Sequence, residues 1–191
     1  RISRMIRDIS STDILVGNKH TNLRQMVEQQ LNTEEKAAHV QEIRFREINQ
    51  QQVHADELTL QDHAYTTAVS DEHFLQWVTA DNKIAGFCRL SLPHWDELAA
   101  GSCDVRADEL SVQPGQAMIR ELHVYGQALS LGSEGLSAQH QGLGQKLLAR
   151  AEKIAADEGY GILNVISSVG TRAYYRAQGF KNAGLYQQKE L

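Results

Sequence analysis

The sequence holds 191 residues, 41% hydrophobic and 23% charged, with a net charge of −5, which suits one good apolar core with a small appended element. No run approaches the ~18 apolar residues of a membrane span, the first residues carry no signal-peptide pattern, and two cysteines, Cys88 and Cys103, are too few for a disulfide framework or a zinc ribbon. A cytoplasmic location is the expectation, and a chain that opens on Arg1 in place of Met points to a piece of something longer.

Residues 1–16 show no helical period and read as extended or irregular. Residues 1–24 carry five basic side chains against two acidic ones, whereas residues 49–191 carry eleven against seventeen. A basic end on an acidic body is either a foothold for a polyanion or simply a solvated surface. Leu23, Met26, Val27 and Leu31 recur at helical spacing after a candidate cap at Thr21, and an acidic turn follows at 33–36. Residues 41–48 alternate, with Ile43 and Phe45 on one side and Arg44 and Arg46 on the other, which predicts a strand. This first segment is too small to fold alone.

From residue 57 the pattern changes to strands at 57–67, 73–79 and 83–92, the last two joined by an Asp81-Asn82 turn. Residues 93–115 read as a loop, 117–125 as a fourth strand, and 126–137 as a small-residue loop. The best helix covers 142–158. Its Leu143, Leu147, Leu148, Ala151, Ile154 and Ala155 share one face, and Gly159 and Gly161 stop it. An apolar strand at 162–167, a short helix at 171–178 and a last strand at 180–189 complete an α+β mixed sheet.

Two segments carry chemistry. Gln139-His140-Gln141-Gly142-Leu143-Gly144 sits at the start of the strong helix. Its glycines let backbone approach a ligand closely. The unpaired amides of the first turn, with the helix dipole behind them, suit a pyrophosphate. The motif is neither the dinucleotide fingerprint nor a P-loop, and a Gly-x-Gly pair taken alone is more often a plain turn. Downstream, Tyr174-Tyr175 precede Gly179-Phe180, placing Tyr175 one helical turn before the last strand. A phenol there can protonate a leaving thiolate; the competing reading is two core aromatics with satisfied hydroxyls. Glu121, His123 and Tyr125 share a strand parity. Either of the first two could position water or substrate, or be an inward polar group paired to backbone.

Gln-x-x-Gly-x-Gly, a helix, an apolar strand and Tyr-x-x-x-Gly-Phe together resemble the GNAT acetyltransferase superfamily. That resemblance implies a GNAT fold whose fourth and fifth strands splay to hold the pantetheine arm of acetyl-CoA. Leu122, His123, Val124, Gln139 through Gly144, Tyr174 and Tyr175 would then bind the coenzyme, with Tyr175, Tyr174 and Glu121 as catalytic candidates. A closer similarity is to the Elongator catalytic subunit and its bacterial and archaeal homologues. It rests on Ile119-Arg120-Glu121-Leu122-His123-Val124-Tyr125-Gly126, Val165-Ile166-Ser167, Val169-Gly170-Thr171-Arg172 and Tyr174-Tyr175-Arg176, with Arg7-Asp8-Ile9, Asn22-Leu23-Arg24 and Ile43-Arg44 in the first segment.

This second resemblance implies a tRNA wobble-uridine carboxymethylating enzyme. In such an enzyme residues 1–56 form a basic linker touching tRNA through Arg1, Arg4, Arg7, Lys19, Arg24, Arg44 and Arg46, and packing on a missing radical-SAM domain. Residues 57–191 form the acetyl-CoA domain. S-adenosylmethionine and an iron–sulfur cluster belong to the missing domain only. The chain departs from the family at Val40, where a cysteine of a zinc-associated run is usual, and at Ser10 and Ser168; no metal is therefore assigned. A protein lysine acetyltransferase, or a tRNA-binding module that responds to acetyl-CoA without turnover, are the rival readings.

Overall fold

The computed structural model describes residues 10–17, 19, 22–33, 39–49, 53–100, 112–125 and 142–191. The chain divides into two compact units, Arg1–Ile48 and Asn49–Leu191.

In the first unit, helix α1 spans Leu23–Thr33, where the apolar spacing placed it. The strand expected at 41–48 is absent; residues 43–46 form a turn. The Glu42 carboxylate accepts the Phe45 amide, and the Arg46 amide reaches the carbonyls of Glu42 and Ile43 at 3.2 and 3.1 Å. A side chain that caps amides three residues on closes a turn and competes with extended backbone, which alternation alone does not reveal.

The second unit is built on one seven-stranded sheet of order β1-β2-β3-β4-β5-β7-β6. The strands are β1 (Thr59–Thr66), β2 (Ser70–Val78), β3 (Ile84–Pro93), β4 (Gln116–Val124), β5 (Ile162–Val165), β6 (Lys181–Ala183) and β7 (Tyr186–Glu190). Among the described strands only β4 and β5 run parallel, because the chain returns between them through helix α3 (Leu143–Asp157). Helix α2 (Trp95–Ala99) interrupts the loop expected at 93–115, and helix α4 (Arg172–Ala177) follows β5. The last strand is two strands. Ala183 pairs with Tyr186 around Gly184, whose φ is 60°; such a two-residue turn makes a hairpin.

Helix α3 buries the six side chains that the sequence put on one face. Leu147, Leu148, Ala151, Ile154 and Ala155 join Leu75, Cys88, Leu90, Ala117, Ile119, Leu163, Val165, Tyr175 and Phe180 in the core on one side of the sheet. At about 25 cal/mol per Å² of apolar surface this burial dominates the unit's stability. Lys189 on β7 bridges to Glu152 on α3 at 2.8 Å and ties the helix to the sheet's far end.

Cys88 is fully buried on β3, and burial pushes its thiol up to about 12. Alkylation needs the thiolate, so iodoacetamide at pH 8 leaves Cys88 unmodified in the native protein and labels it in denaturant, as peptide mass mapping reads. Native labelling of Cys88 would disprove the packing of β3. The sign of the linkage is also fixed. A thiol whose folded value is raised contributes stability below its unfolded value and loses it as pH rises towards 12.

Candidate functional site

The site begins with a mismatch of lengths. Strand β4 is nine residues long and β5 four, and they pair only from Gln116↔Ile162 to Ile119↔Val165. Beyond Ile119, β4 continues to Val124 with no β5 partner, so the sheet opens between the two strands. A bulge sits at the same point: Leu90 pairs with Ile119 and Arg89 with Glu121, leaving Arg120 as the extra residue. The bulge keeps Ile119 and Leu122 on one face although they are three residues apart.

An open cleft of about 630 Å³ occupies this opening, lined by Leu122 and Val124 of β4, Gly142, Gly144 and Gln145 at the start of α3, and Gly170, Thr171, Tyr174 and Tyr175. Gly142 stands before α3 with φ 69°, a conformation glycine adopts without cost. The first α3 bond among the described residues runs from the Lys146 amide to the Gly142 carbonyl at 3.1 Å. The amides of Leu143, Gly144 and Gln145 therefore precede any intrahelical partner within the described residues, and they head a fifteen-residue helix. A methyl group added at Gly144 would meet the Tyr174 hydroxyl at 3.0 Å and Val124 Cγ2 at 3.4 Å. The absent side chain is what leaves the cleft reaching this turn, and the cradle fits a phosphate group.

The two tyrosines differ. Tyr175 is 6% exposed and belongs to the core, its ring edge-on to Phe180 at 5.6 Å. Burial first, then nearby Cys88 and Tyr174, push its phenol up to about 12. Tyr174 is 36% exposed, edge-on to Tyr175 at 5.2 Å, and burial raises its phenol as well. Both phenols keep their protons at neutral pH and can donate hydrogen bonds in the cleft.

The remaining sequence candidates fall in three places. Leu122, Val124, Gly142, Leu143 and Gly144 gather with the tyrosines, Leu143 as a buried anchor of α3. Glu121 and His123 point to the opposite face of β4: Glu121 meets Arg89 at 3.2 Å, and His123 stacks on Phe87 at 5.1 Å between ring centres. Gln139, His140 and Gln141 lie outside the described residues, as do Arg1, Arg4 and Arg7. Among the other basic candidates, Lys19 and Arg44 are exposed, whereas Arg46 is buried. Arg24 pairs with Glu28 and lies 3.7 Å from Glu42. Sequence reasoning passed over Gln145, Gly170 and Thr171 as cleft residues; the signal was their place beside the glycine pair and at the start of the tyrosine helix. No group of three His, Cys, Asp or Glu among the described residues could hold a metal ion, and no described helix is long and apolar enough to cross a membrane.

A parallel pair that opens midway, with a glycine-headed helix at the opening, is the arrangement expected of a GNAT fold. Residues 38–180 match the profile of the Acetyltransferase (GNAT) family. The chain belongs to that family. Over its whole length it is 39% identical to the tRNA uridine(34) acetyltransferase of Dehalococcoides mccartyi and 32% identical to Elongator complex protein 3 of Homo sapiens. Among solved structures, the archaeal Elp3 of Methanocaldococcus infernus with an N-terminal deletion superposes over 100% of the chain with a TM-score of 0.72 and 29% identity. The chain spans 40% and 34% of the length of those two curated relatives and 44% of the archaeal chain. GNAT membership makes this an acetyltransferase region, with the fold and the family resemblance read from the sequence both in place.

Proposed function

We propose that this GNAT unit binds acetyl-CoA and supplies the acyl group for building a carboxymethyl substituent on carbon five of the wobble uridine of tRNA. The observation that carries the reading is the β4–β5 opening, headed by the first turn of α3 and walled by Tyr174 and Tyr175. The backbone amides after Gly142 hold the coenzyme's pyrophosphate; Leu122 and Val124 flank the pantetheine arm; a tyrosine phenol hydrogen-bonds the departing thiolate. Radical chemistry at the uridine belongs to a radical-SAM domain that carries S-adenosylmethionine and an iron–sulfur cluster. Residues 1–56 link the two domains, and exposed Lys19 and Arg44 join Arg1, Arg4 and Arg7 as phosphate contacts for the anticodon arm.

Two measurements test this. Calorimetry with acetyl-CoA yields saturable binding that desulfo- or dephospho-analogues reproduce and that free pantetheine does not. Free-thiol release from acetyl-CoA is then followed with tRNA, with a lysine peptide, and with neither. Release that requires tRNA is the expected result. Release only with the peptide makes this a lysine acetyltransferase, and tight binding without release makes it a sensor module. Contacts to phosphate also make tRNA affinity fall steeply between 50 and 200 mM salt; a flat salt response would remove the basic linker from the interface.

A further inference from the structure

The face of the sheet turned away from the coenzyme cleft carries a line of polar groups that the functional reading does not use. It starts at Glu72 on β2, which is 6% exposed. One carboxylate oxygen of Glu72 accepts the Ser70 hydroxyl at 3.0 Å and also the Ser91 hydroxyl. The other oxygen lies 3.6 Å from an Arg89 guanidinium nitrogen. The second terminal nitrogen of Arg89 donates to Glu121 Oε1 at 3.2 Å. Three adjacent strands thus contribute one side chain each: a buried carboxylate, a forked cation, and a half-buried carboxylate on β4.

Burying a carboxylate costs several kcal/mol unless it is paired and hydrogen-bonded, and an apolar residue would fill the Glu72 position more cheaply. What the buried group achieves is the orientation of Arg89, whose planar fork turns one terminal nitrogen to each carboxylate, hydrogen-bonded to Glu121 and in ion-pair range of Glu72. Glu121 is the β4 member of this line, and its place is informative. It lies next to Leu122, the β4 residue that lines the cleft, and just past the point where β4 and β5 part. On the α3 side the opening is the cleft lined by Leu122, Tyr174 and Tyr175, which the coenzyme itself occupies when bound. A thioester held in the opening is therefore approached by its acceptor from the side on which Glu121 stands.

We propose that Arg89 is a positioning residue for acyl transfer: anchored by the buried Glu72, it holds the Glu121 carboxylate at the acceptor side of the β4–β5 opening. This rests on the acyltransferase reading above. In the transfer, with water as the acceptor, the water oxygen bonds to the thioester carbonyl carbon, one of its protons passes to Glu121, and the carbon–sulfur bond breaks to release the coenzyme thiolate, the acyl carbon becoming the carboxylate that a carboxymethyl substituent carries. Arg89 touches none of these atoms and acts through Glu121. Glu72 acts through Arg89.

The test is a kinetic cycle on thiol release from acetyl-CoA with tRNA present. Arg89→Gln lowers kcat at least 10-fold while KM and the calorimetric affinity for acetyl-CoA stay within 2-fold, because the cleft lies on the other face. Arg89→Lys keeps the charge without the fork and recovers part of the rate. Glu72→Gln lowers kcat too, and the double variant Glu72→Gln/Arg89→Gln is no slower than Arg89→Gln alone, since both act along one path. The double variant also melts above Arg89→Gln, because the single change strands Glu72 without its cation. Release by the unsubstituted chain that Arg89→Gln leaves unchanged, or additive losses in the double variant, overturns the positioning role and leaves the acyltransferase reading standing. No release by the unsubstituted chain under any condition removes that reading and this inference with it.

Discussion

Gly144→Glu loses acetyl-CoA affinity by about 100-fold or more, about 2.8 kcal/mol at 1.4 kcal/mol per tenfold, while the protein melts no lower than the parent. The two effects separate because the same position is judged by different physics in each. For the fold, residue 144 is the second residue of α3, where glycine costs roughly 0.8–1 kcal/mol against a good helix former. A carboxylate in the first turn meets the positive end of the helix dipole, worth about 0.3–1 kcal/mol. Against these stands one tight contact, since a Cβ at this position would lie 3.0 Å from the Tyr174 hydroxyl, while Val124 Cγ2 at 3.4 Å is at ordinary packing distance. That hydroxyl ends a half-exposed ring, so a small movement relieves it. For the ligand, every one of those features is adverse: the new side chain enters the cleft, and its charge occupies the place meant for a phosphate. Calorimetry with acetyl-CoA and a thermal melt together decide the matter. Unchanged affinity would show that the pyrophosphate lies elsewhere. A joint fall of affinity and melting temperature would show that Tyr174 cannot yield.

Such a separation was available because the helix was legible before the site was. The apolar side chains at 143, 147, 148, 151, 154 and 155 have no other way to share a face than a helix on a sheet, and they are the ones buried. The strands of the first meander were legible for the same reason. Alternation failed where a local hydrogen bond outweighed it, at the Glu42-capped turn, and where a single glycine folded the last strand back on itself at Gly184. The bulge at Arg120 was written in the pattern too. Ala117, Ile119, Leu122 and Val124 keep one face only if one residue is skipped, and that slip was passed over. The pairing of Arg89 with Glu72 and Glu121 was not legible at all, because it needs three strands in register and separations of 17 and 32 residues in the chain.

Tyr175→Phe keeps the affinity for acetyl-CoA and the melting temperature, and lowers thiol release by about 10²-fold. Only one oxygen is removed, and the Phe ring retains the edge-on packing against Phe180 and Tyr174. A purely structural tyrosine therefore predicts no kinetic effect. The size follows from the role. With its phenol pushed up to about 12 by burial, Tyr175 is a weaker acid than an ordinary thiol at ~8.5, so complete proton transfer to the departing sulfur is uphill. What it supplies is a preorganised hydrogen bond to the charge gathering on sulfur, and removing one such donor typically costs 10²–10³ in rate. The pH dependence follows with a definite sign. The donor form persists below about pH 12, so the rate shows no alkaline loss from this group through pH 10. Tyr174, more exposed and beside Gly144, serves as the control. If Tyr174→Phe abolishes release and Tyr175→Phe does not, the hydrogen bond to sulfur belongs to the outer tyrosine and Tyr175 is core.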